Sequence, residues 1–301
     1  MKEFPAGTVS ESPAARWWRS EEGGARCGLC FRRCLVPVGS VGYCGVRGWE
    51  GNAFSSPYLG RFSSCAVDPI EKKPLSHWRP GSRIFSLGSV GCSMRCPFCQ
   101  NHRIAQPFGN ESLGGKQNVP LVPMPPSELA RNVRRKGLSA VAYTYNEPTL
   151  QAEYILRAAP LLREAGIASV LVTNGMFSTE ARDDLTPWID AVNVDVKTFD
   201  PLKYAAMGGS LEVVRENVVY WTRAGVHVEL TNLVVPDISD SREDFVRMVD
   251  WIAETAPKTP LHISRYFPSY KYTAPPTSVA LLKEFEAIAG RKLAHVHLGN
   301  V

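Results

Sequence analysis

An α/β fold is predicted: a parallel barrel of six or so strand–helix units, open or closed, behind a small cysteine-rich N-terminal module. Three observations carry this. Apolar strand-like runs alternate with amphipathic helices over the last two-thirds of the chain, which is the pattern of right-handed βαβ units and a parallel sheet. Each run ends in polar residues, at the place where parallel α/β folds bind ligands. The eight cysteines are gathered towards the front, and none follows Cys99. The expected organisation is a flexible leader over 1–24, a cysteine-rich module and connector over 25–80, and a barrel domain over 81–301.

The elements follow in order. Ile84–Gly88 is the first barrel strand and runs into a three-cysteine loop. Ser127 caps a helix through SELARNVRRKG that stops at Gly137. Ser139–Tyr145 is the second strand, and a helix over Leu150–Glu164 stops at Gly166. Ala168–Thr173, Ala191–Val196, Val226–Val235 and Leu261–Ser264 are the third to sixth strands. Helices lie near Leu211–Ala224, Arg242–Thr255 and Ser278–Ala289, and His295–Leu298 is a short extra strand. Leu113–Pro126 is a glycine- and proline-rich loop over the active site, and Trp17 and Trp18 anchor the leader to the barrel. Cys65 stands alone as an ordinary packed residue, and His262, His295 and His297 are barrel-interior or surface histidines.

Composition narrows the function. The chain has 301 residues, an apolar fraction of 44% and a net charge of +5, which fits a globular protein with a large core. The arginines are dispersed, so the mild basic excess gives no argument for nucleic acid. The N-terminus lacks an apolar h-region, and no run of about 18 apolar residues occurs that would span a membrane. The default location is the cytoplasm, where clustered cysteines read as metal ligands or catalytic thiols rather than disulfides.

The strand ends carry the chemistry. They read GSVGCSMRCPFC, Thr144-Tyr145-Asn146-Glu147-Pro148, Thr173-Asn174-Gly175, Asp195 with Lys197, Thr231-Asn232, and Ser264-Arg265-Tyr266. A parallel barrel would bring all six to one mouth. Cys92, Cys96 and Cys99 have the spacing C-x3-C-x2-C. Three thiolates of one tight loop can ligate three irons of a [4Fe-4S] cube and leave the fourth open. A closed zinc site wants a fourth ligand, for which His102 is the nearest candidate.

This loop, with Phe98 in its aromatic slot, resembles the signature of the radical S-adenosylmethionine (SAM) superfamily. The phrases DPIEKKPLSHWRPGS, GCSMRCPFCQN, YTYNEPT, VTNG, NVDVK and LHISRYFPSYK resemble the radical SAM enzyme of the AmmeMemoRadiSam system, which is related to pyruvate formate-lyase activating enzymes. The resemblance runs from about Cys27 onwards. It implies a partial (β/α)6 TIM-like barrel. It also implies a [4Fe-4S] cluster and SAM as cofactors, reductive cleavage of SAM, and a 5′-deoxyadenosyl radical that abstracts hydrogen from substrate. A flavodoxin or ferredoxin would supply the electron, and MEMO-type or AMMECR-type proteins are implied partners.

The resemblance also assigns residues. Phe98 would lie near the adenine. Asn146 and Glu147 fall in the Gly-Gly-Glu motif that binds the SAM amino group, with Tyr145 and Asn146 in place of its glycines. Thr173 and Asn174 line the SAM pocket. Val172 stands where glycyl-radical activases carry an aspartate. Lys197 would pair with the SAM carboxylate and Asp195 would orient Lys197 or a bound cation, the bland alternative being a structural ion pair. The family usually continues past Gly299–Val301 into a tail with two more cysteines, so the resemblance implies either a fragment or a naturally short form.

The second cysteine group is Cys27, Cys30, Cys34 and Cys44. Four thiolates suit a structural zinc site, an auxiliary Fe–S cluster or, least well, unliganded buried thiols. Zinc comes first because the spacing resembles a zinc knuckle, and a small module gains stability from such a staple. The function expected is a radical SAM enzyme of unidentified substrate. The alternatives are a glycyl-radical activase, a non-catalytic metal-stapled scaffold that binds partners, and a zinc hydrolase.

Overall fold

Eight strands form one sheet whose spatial order is their order along the chain. They are β1 (Ser64–Pro69), β2 (Arg83–Gly88), β3 (Ala140–Tyr143), β4 (Ala168–Thr173), β5 (Ala191–Asp195), β6 (His227–Val234), β7 (Leu261–Arg265) and β8 (Val296–Gly299). β1 pairs antiparallel with β2, and every later pair is parallel. A doubly wound sheet would reverse its strand order at a switch point. Here the order never reverses and β1 and β8 are not paired, so the sheet is a barrel left open along one seam. The computed structural model describes residues 15–107 and 119–301.

Strand alternation sorts side chains into two layers. Val141, Leu171, Val192 and Leu230 point out under the helices and belong to the main core. Ala140, Ala142, Ala168, Val170 and Ala191 face inwards, where Ile70 and Leu75 of the connector fill the narrow lumen. The floor is polar. Glu229 on β6 accepts the backbone N–H groups of Ser76 (3.0 Å) and His77 (2.8 Å) and bonds the rings of His227 (2.9 Å) and His262 (2.6 Å). His77 Nε2 meets His297 Nε2 at 2.8 Å, so the connector reaches the last strand across the open seam.

The helices α1 (Pro126–Arg135), α2 (Ala152–Glu164), α3 (Thr179–Leu185), α4 (Pro201–Ala206), α5 (Leu211–Arg223), α6 (Arg242–Thr255) and α7 (Val279–Ala289) cover the sheet. Hydroxyl caps start α3, α5, α6 and α7 at Ser178, Ser210, Ser241 and Ser278. α1 differs from expectation: Pro126 is its first residue and Ser127 lies inside the first turn, so proline's fixed φ starts the helix instead of a hydroxyl cap. A 3-10 turn, Pro148–Gln151, precedes α2 because the chain leaves Glu147 through a proline. The short helices α3 and α4 are too brief to show a periodicity, and the edge strand β1 lacks the buried apolar run that marks the other strands, so none of the three was anticipated. Cys65 is exposed on that edge strand rather than packed.

The N-terminal module is built from short antiparallel pairs. Trp18–Glu21 pairs with Gly24–Cys27, which pairs with Leu35–Val36; Gly48–Trp49 lies between Ser40–Val41 and Phe54–Ser55. The leader expected to be flexible therefore contains a strand, while its first 14 residues lie outside the described ones. The loop expected over Leu113–Pro126 lies partly outside them too, and its Val122–Pro123 pairs with Arg61–Phe62. Trp17 does anchor the leader, donating its indole N–H to Asp184 of α3 at 3.0 Å. The module is locked to α2 by Arg47 and Glu153, an ion pair at 2.5 Å with both side chains 1% exposed.

Candidate active site

The loop after β2 carries Cys92, Cys96 and Cys99. It is held mainly through its main chain. Arg32 Nε donates to Ser93 O (3.0 Å), and Arg95 Nη1 donates to Cys92 O (3.1 Å) and Met94 O (3.2 Å). Gln106 donates to Cys96 O (3.1 Å), and the Lys271 N–H donates to Pro97 O (2.9 Å). Ser269 Oγ reaches Cys99 O at 3.3 Å. The segment after β7 thus closes the far side of the cysteine loop, and Tyr270 stacks on His102.

The three thiols interact with one another, and burial is the first cause that pushes each of them up, Cys96 to about 11. Neutral thiols do not bind iron; a bound cation reverses that balance. Two N–H groups point at Cys92 Sγ, from Met94 (3.4 Å) and from Asn174 Nδ2 (3.6 Å). Among the described residues no three His, Cys, Asp or Glu side chains form a ready-made cage for a single ion. A cube spreads its thiolates over separate irons, so this donor set fits a [4Fe-4S] cluster. His102 places Nδ1 by the Cys99 carbonyl at 3.2 Å, which leaves the zinc alternative without a convergent fourth ligand.

The ends of β3 and β4 are joined by Glu147. Its Oε1 accepts Thr149 N (3.0 Å), Thr149 Oγ1 (2.5 Å) and Thr173 Oγ1 (2.8 Å), and Oε2 accepts Asn174 N (2.9 Å). Burial raises its carboxyl while these donors oppose the rise. Asn146 spans the loop entrance, accepting Ser89 N (2.9 Å) and donating to Gly91 O (3.0 Å). Both side chains thus set the strand ends and the cysteine loop against each other. Asn174 continues the chain of contacts, donating to Ser93 Oγ at 3.0 Å.

Tyr145 has φ +69, the left-handed conformation that glycine adopts freely. A bulky residue therefore holds here a backbone shape that glycine would take without strain. Its phenol donates to Asp68 on β1, whose same oxygen takes Lys73 Nζ, both at 2.6 Å.

Asp195 ends β5 and pairs with Lys197 at 2.7 Å. Burial works against the Lys197 charge, but Asp195 and Cys96 outweigh it and hold the ammonium. The same ammonium bears on Cys99. Phe98 is buried edge-on to Tyr272, ring centres 6.5 Å apart. The second group, Cys27, Cys30, Cys34 and Cys44, lies in the module, where burial pushes the Cys30 thiol up and lifts Cys44 to about 11. No helix among the described residues is long and apolar enough to cross a membrane.

Comparison with known proteins places this geometry. The sequence profile of the radical SAM superfamily matches residues 87–252. The chain is 34% identical over 279 residues to an uncharacterized protein of Methanocaldococcus jannaschii, covering 92% of this chain and 81% of that one. It is 25% identical over 176 residues to a pyruvate formate-lyase-activating enzyme of Clostridium pasteurianum, covering 54% of this chain and 66% of the other. The fold resembles that of Streptococcus suis SuiB bound to S-adenosylmethionine, with a TM-score of 0.51, 17% identity, and coverage of 70% of this chain and 48% of that one.

Proposed function

This chain belongs to the radical SAM superfamily, and on that premise we propose that it is an enzyme that reductively cleaves SAM and abstracts hydrogen from a substrate. The observation that carries the reading is the loop of Cys92, Cys96 and Cys99, gripped by its main chain and flanked by Asn174, Asp195 and Lys197 at neighbouring strand ends. A [4Fe-4S] cluster on these thiols, with SAM, would supply the electron that breaks the S–C5′ bond and the 5′-deoxyadenosyl radical that takes the hydrogen.

The protein's part is orientation and exclusion of water. Lys197, fixed by Asp195, is the cation for the SAM carboxylate. Glu147 and Asn146, spent on their own neighbours, hold the β3 end so that its backbone faces the SAM amino group. Thr173 and Asn174 line the pocket, and buried Phe98 backs the adenine side. A flavodoxin or ferredoxin is the electron donor in this reading, MEMO-type or AMMECR-type proteins are partners, and the reducing cytoplasm is the compartment. The similarity to a pyruvate formate-lyase-activating enzyme favours a second reading, glycyl-radical activation, against which stands Val172 in the activases' aspartate position.

The test is anaerobic reconstitution with iron and sulfide, then SAM and dithionite, with 5′-deoxyadenosine measured by chromatography. Wild type is expected to form it, and Cys92→Ala, Cys96→Ala and Cys99→Ala are expected not to. A colourless protein that leaves SAM intact would sink the reading.

A further inference from the structure

Arg32 lies where the N-terminal module, the cysteine loop and the turn between α4 and α5 meet. Its Nε donates to Ser93 O at 3.0 Å, and its Nη2 donates to Gly208 O. The guanidinium lies on the Tyr43 ring, 3.5 Å from the ring centre, and Arg95 covers the same ring at 4.4 Å. Arg95 also bonds the Tyr43 carbonyl. Gly208, at φ +75, makes room for this stack: a Cβ there would collide with Arg32 Nη2 and lie 2.7 Å from the Tyr43 hydroxyl. Among the described residues no carboxylate pairs with Arg32 or Arg95, whereas the neighbouring Arg33 is paired with Glu180 at 2.5 Å. The Arg32 charge therefore stands over the cysteine loop without a counter-ion.

The carbonyl that Arg32 holds belongs to the same peptide group as the Met94 N–H. That N–H points at Cys92 Sγ at 3.4 Å. Carbonyl and N–H lie on opposite sides of a planar trans peptide. Arg32, the Ser93–Met94 peptide and the Cys92 sulfur thus form one chain of donors and acceptors. A cation at the carbonyl end draws electron density from the amide and makes its N–H a stronger donor, and the bonds of such a chain strengthen one another. Ser93 and Met94 are each 1% exposed, so water screens this chain little. Its far side is fixed: Arg95 takes the Met94 carbonyl at 3.2 Å, and the Arg95 N–H is given to Met207 O at 2.8 Å. Hydrogen bonds to the sulfurs and the surrounding charge are what set the potential of an Fe–S cluster. Both act here in one direction, since the reduced cluster is the more negative form.

We infer that Arg32, held flat on Tyr43, raises the reduction potential of the [4Fe-4S] cluster on Cys92, Cys96 and Cys99 by polarising the Met94 N–H that is donated to the Cys92 sulfur. The inference rests on the radical SAM reading, from which it takes the cluster. Arg32 acts through a peptide group and is a positioning residue; Tyr43 and Gly208 position it in turn. The electron enters the oxidised cluster from an external reductant, and a higher potential lets a weaker reductant suffice.

The test is a potentiometric titration of the reconstituted full chain, with the reduced cluster counted by electron paramagnetic resonance. At a fixed ambient potential, Arg32→Gln should lower the ratio of reduced to oxidised cluster about tenfold, which is about 59 mV for a one-electron couple. Arg32→Lys keeps the charge without the planar fork and should lower the ratio less. Arg33→Gln is the control: it removes the adjacent charge, one that Glu180 already pairs, and should leave the ratio unchanged. Equal ratios for wild type and Arg32→Gln overturn the inference. An equal fall in Arg33→Gln overturns it too, because net charge alone would then account for the shift. If Arg32→Gln loses its irons, Tyr43→Leu decides: with Arg32 present but unstacked the ratio should fall several-fold, and an unchanged ratio overturns the inference. If wild type takes up no cluster, the proposed function falls and the inference with it. If wild type cleaves SAM while the variants keep its potential, the inference alone falls.

Discussion

Tyr145 keeps a left-handed backbone while its phenol is tied to Asp68 on the edge strand at 2.6 Å. A bulky residue in that conformation is strained by roughly 1–2 kcal/mol, and the tie offsets the strain. Burial alone would raise Asp68, but Lys73 and Tyr145 hold it down at about 2, while burial and Asp68 lift the phenol to about 12. At neutral pH the phenol therefore donates to an ionised carboxylate. Tyr145→Gly should keep SAM affinity because glycine accepts the backbone, whereas Tyr145→Val should lose both affinity and melting temperature. Titration calorimetry and thermal melts on the two variants distinguish these outcomes.

Glu147→Gln tests the brace between β3 and β4. An amide has one oxygen and one NH2, and one end of this group must then face donors at Oε1 or the Asn174 N–H at Oε2. The unsatisfied donor costs about 1–3 kcal/mol. Chemical denaturation should show that loss, and iron uptake by the cysteine loop should fall with it.

Arg47 and Glu153 give a sharper stability effect. Removing one member of a buried pair leaves an uncompensated charge and costs about 3–5 kcal/mol. Arg47→Met should therefore destabilise strongly, and Arg47→Met with Glu153→Leu should recover much of the loss. Denaturant midpoints for the two singles and the double complete the cycle.

The floor of the barrel sets the acid response. Burial first, then neighbouring histidines, depress His77 and His297 below 6.5, while Glu229 opposes. The groups facing them are Glu229, His227, His262 and His295. A depressed histidine contributes stability that is present above the unfolded value and lost as pH falls through the folded one. Glu229 is itself held far below the usual carboxylate range, burial opposing and its histidine and backbone donors prevailing, so its own contribution persists across that window. Melting temperature should thus fall as pH drops below about 6.5, and His297→Gln should flatten the curve. Equal slopes for both proteins would refute the assignment.

Much of the barrel was legible because its strands are short apolar runs between long amphipathic helices. Ala168–Thr173 and Arg242–Thr255 match their expected limits, and β8 appears where His295–Leu298 suggested a strand. β1 was hidden because Asp68 and the residues after it read as a motif, and SCAVDP has no buried face to mark it, every residue being part-buried or exposed. The spacing of Cys92, Cys96 and Cys99 marked the loop, yet it said nothing of Arg32, Tyr43 or Lys271, which reach it from distant parts of the chain. Tyr145 shows a different limit: nothing in the sequence signals that a tyrosine there adopts the left-handed backbone.

The grip on the cysteine loop has an evolutionary consequence. Arg32, Arg95, Gln106, Ser269 and Lys271 take hold of carbonyl oxygens at Ser93, Cys92, Met94, Cys96, Cys99 and Pro97. A carbonyl is offered by every residue type. Drift at the accepting positions Ser93, Met94 and Pro97 leaves these holds intact, whereas selection falls on Arg32, Arg95, Gln106 and Ser269, whose side chains make them.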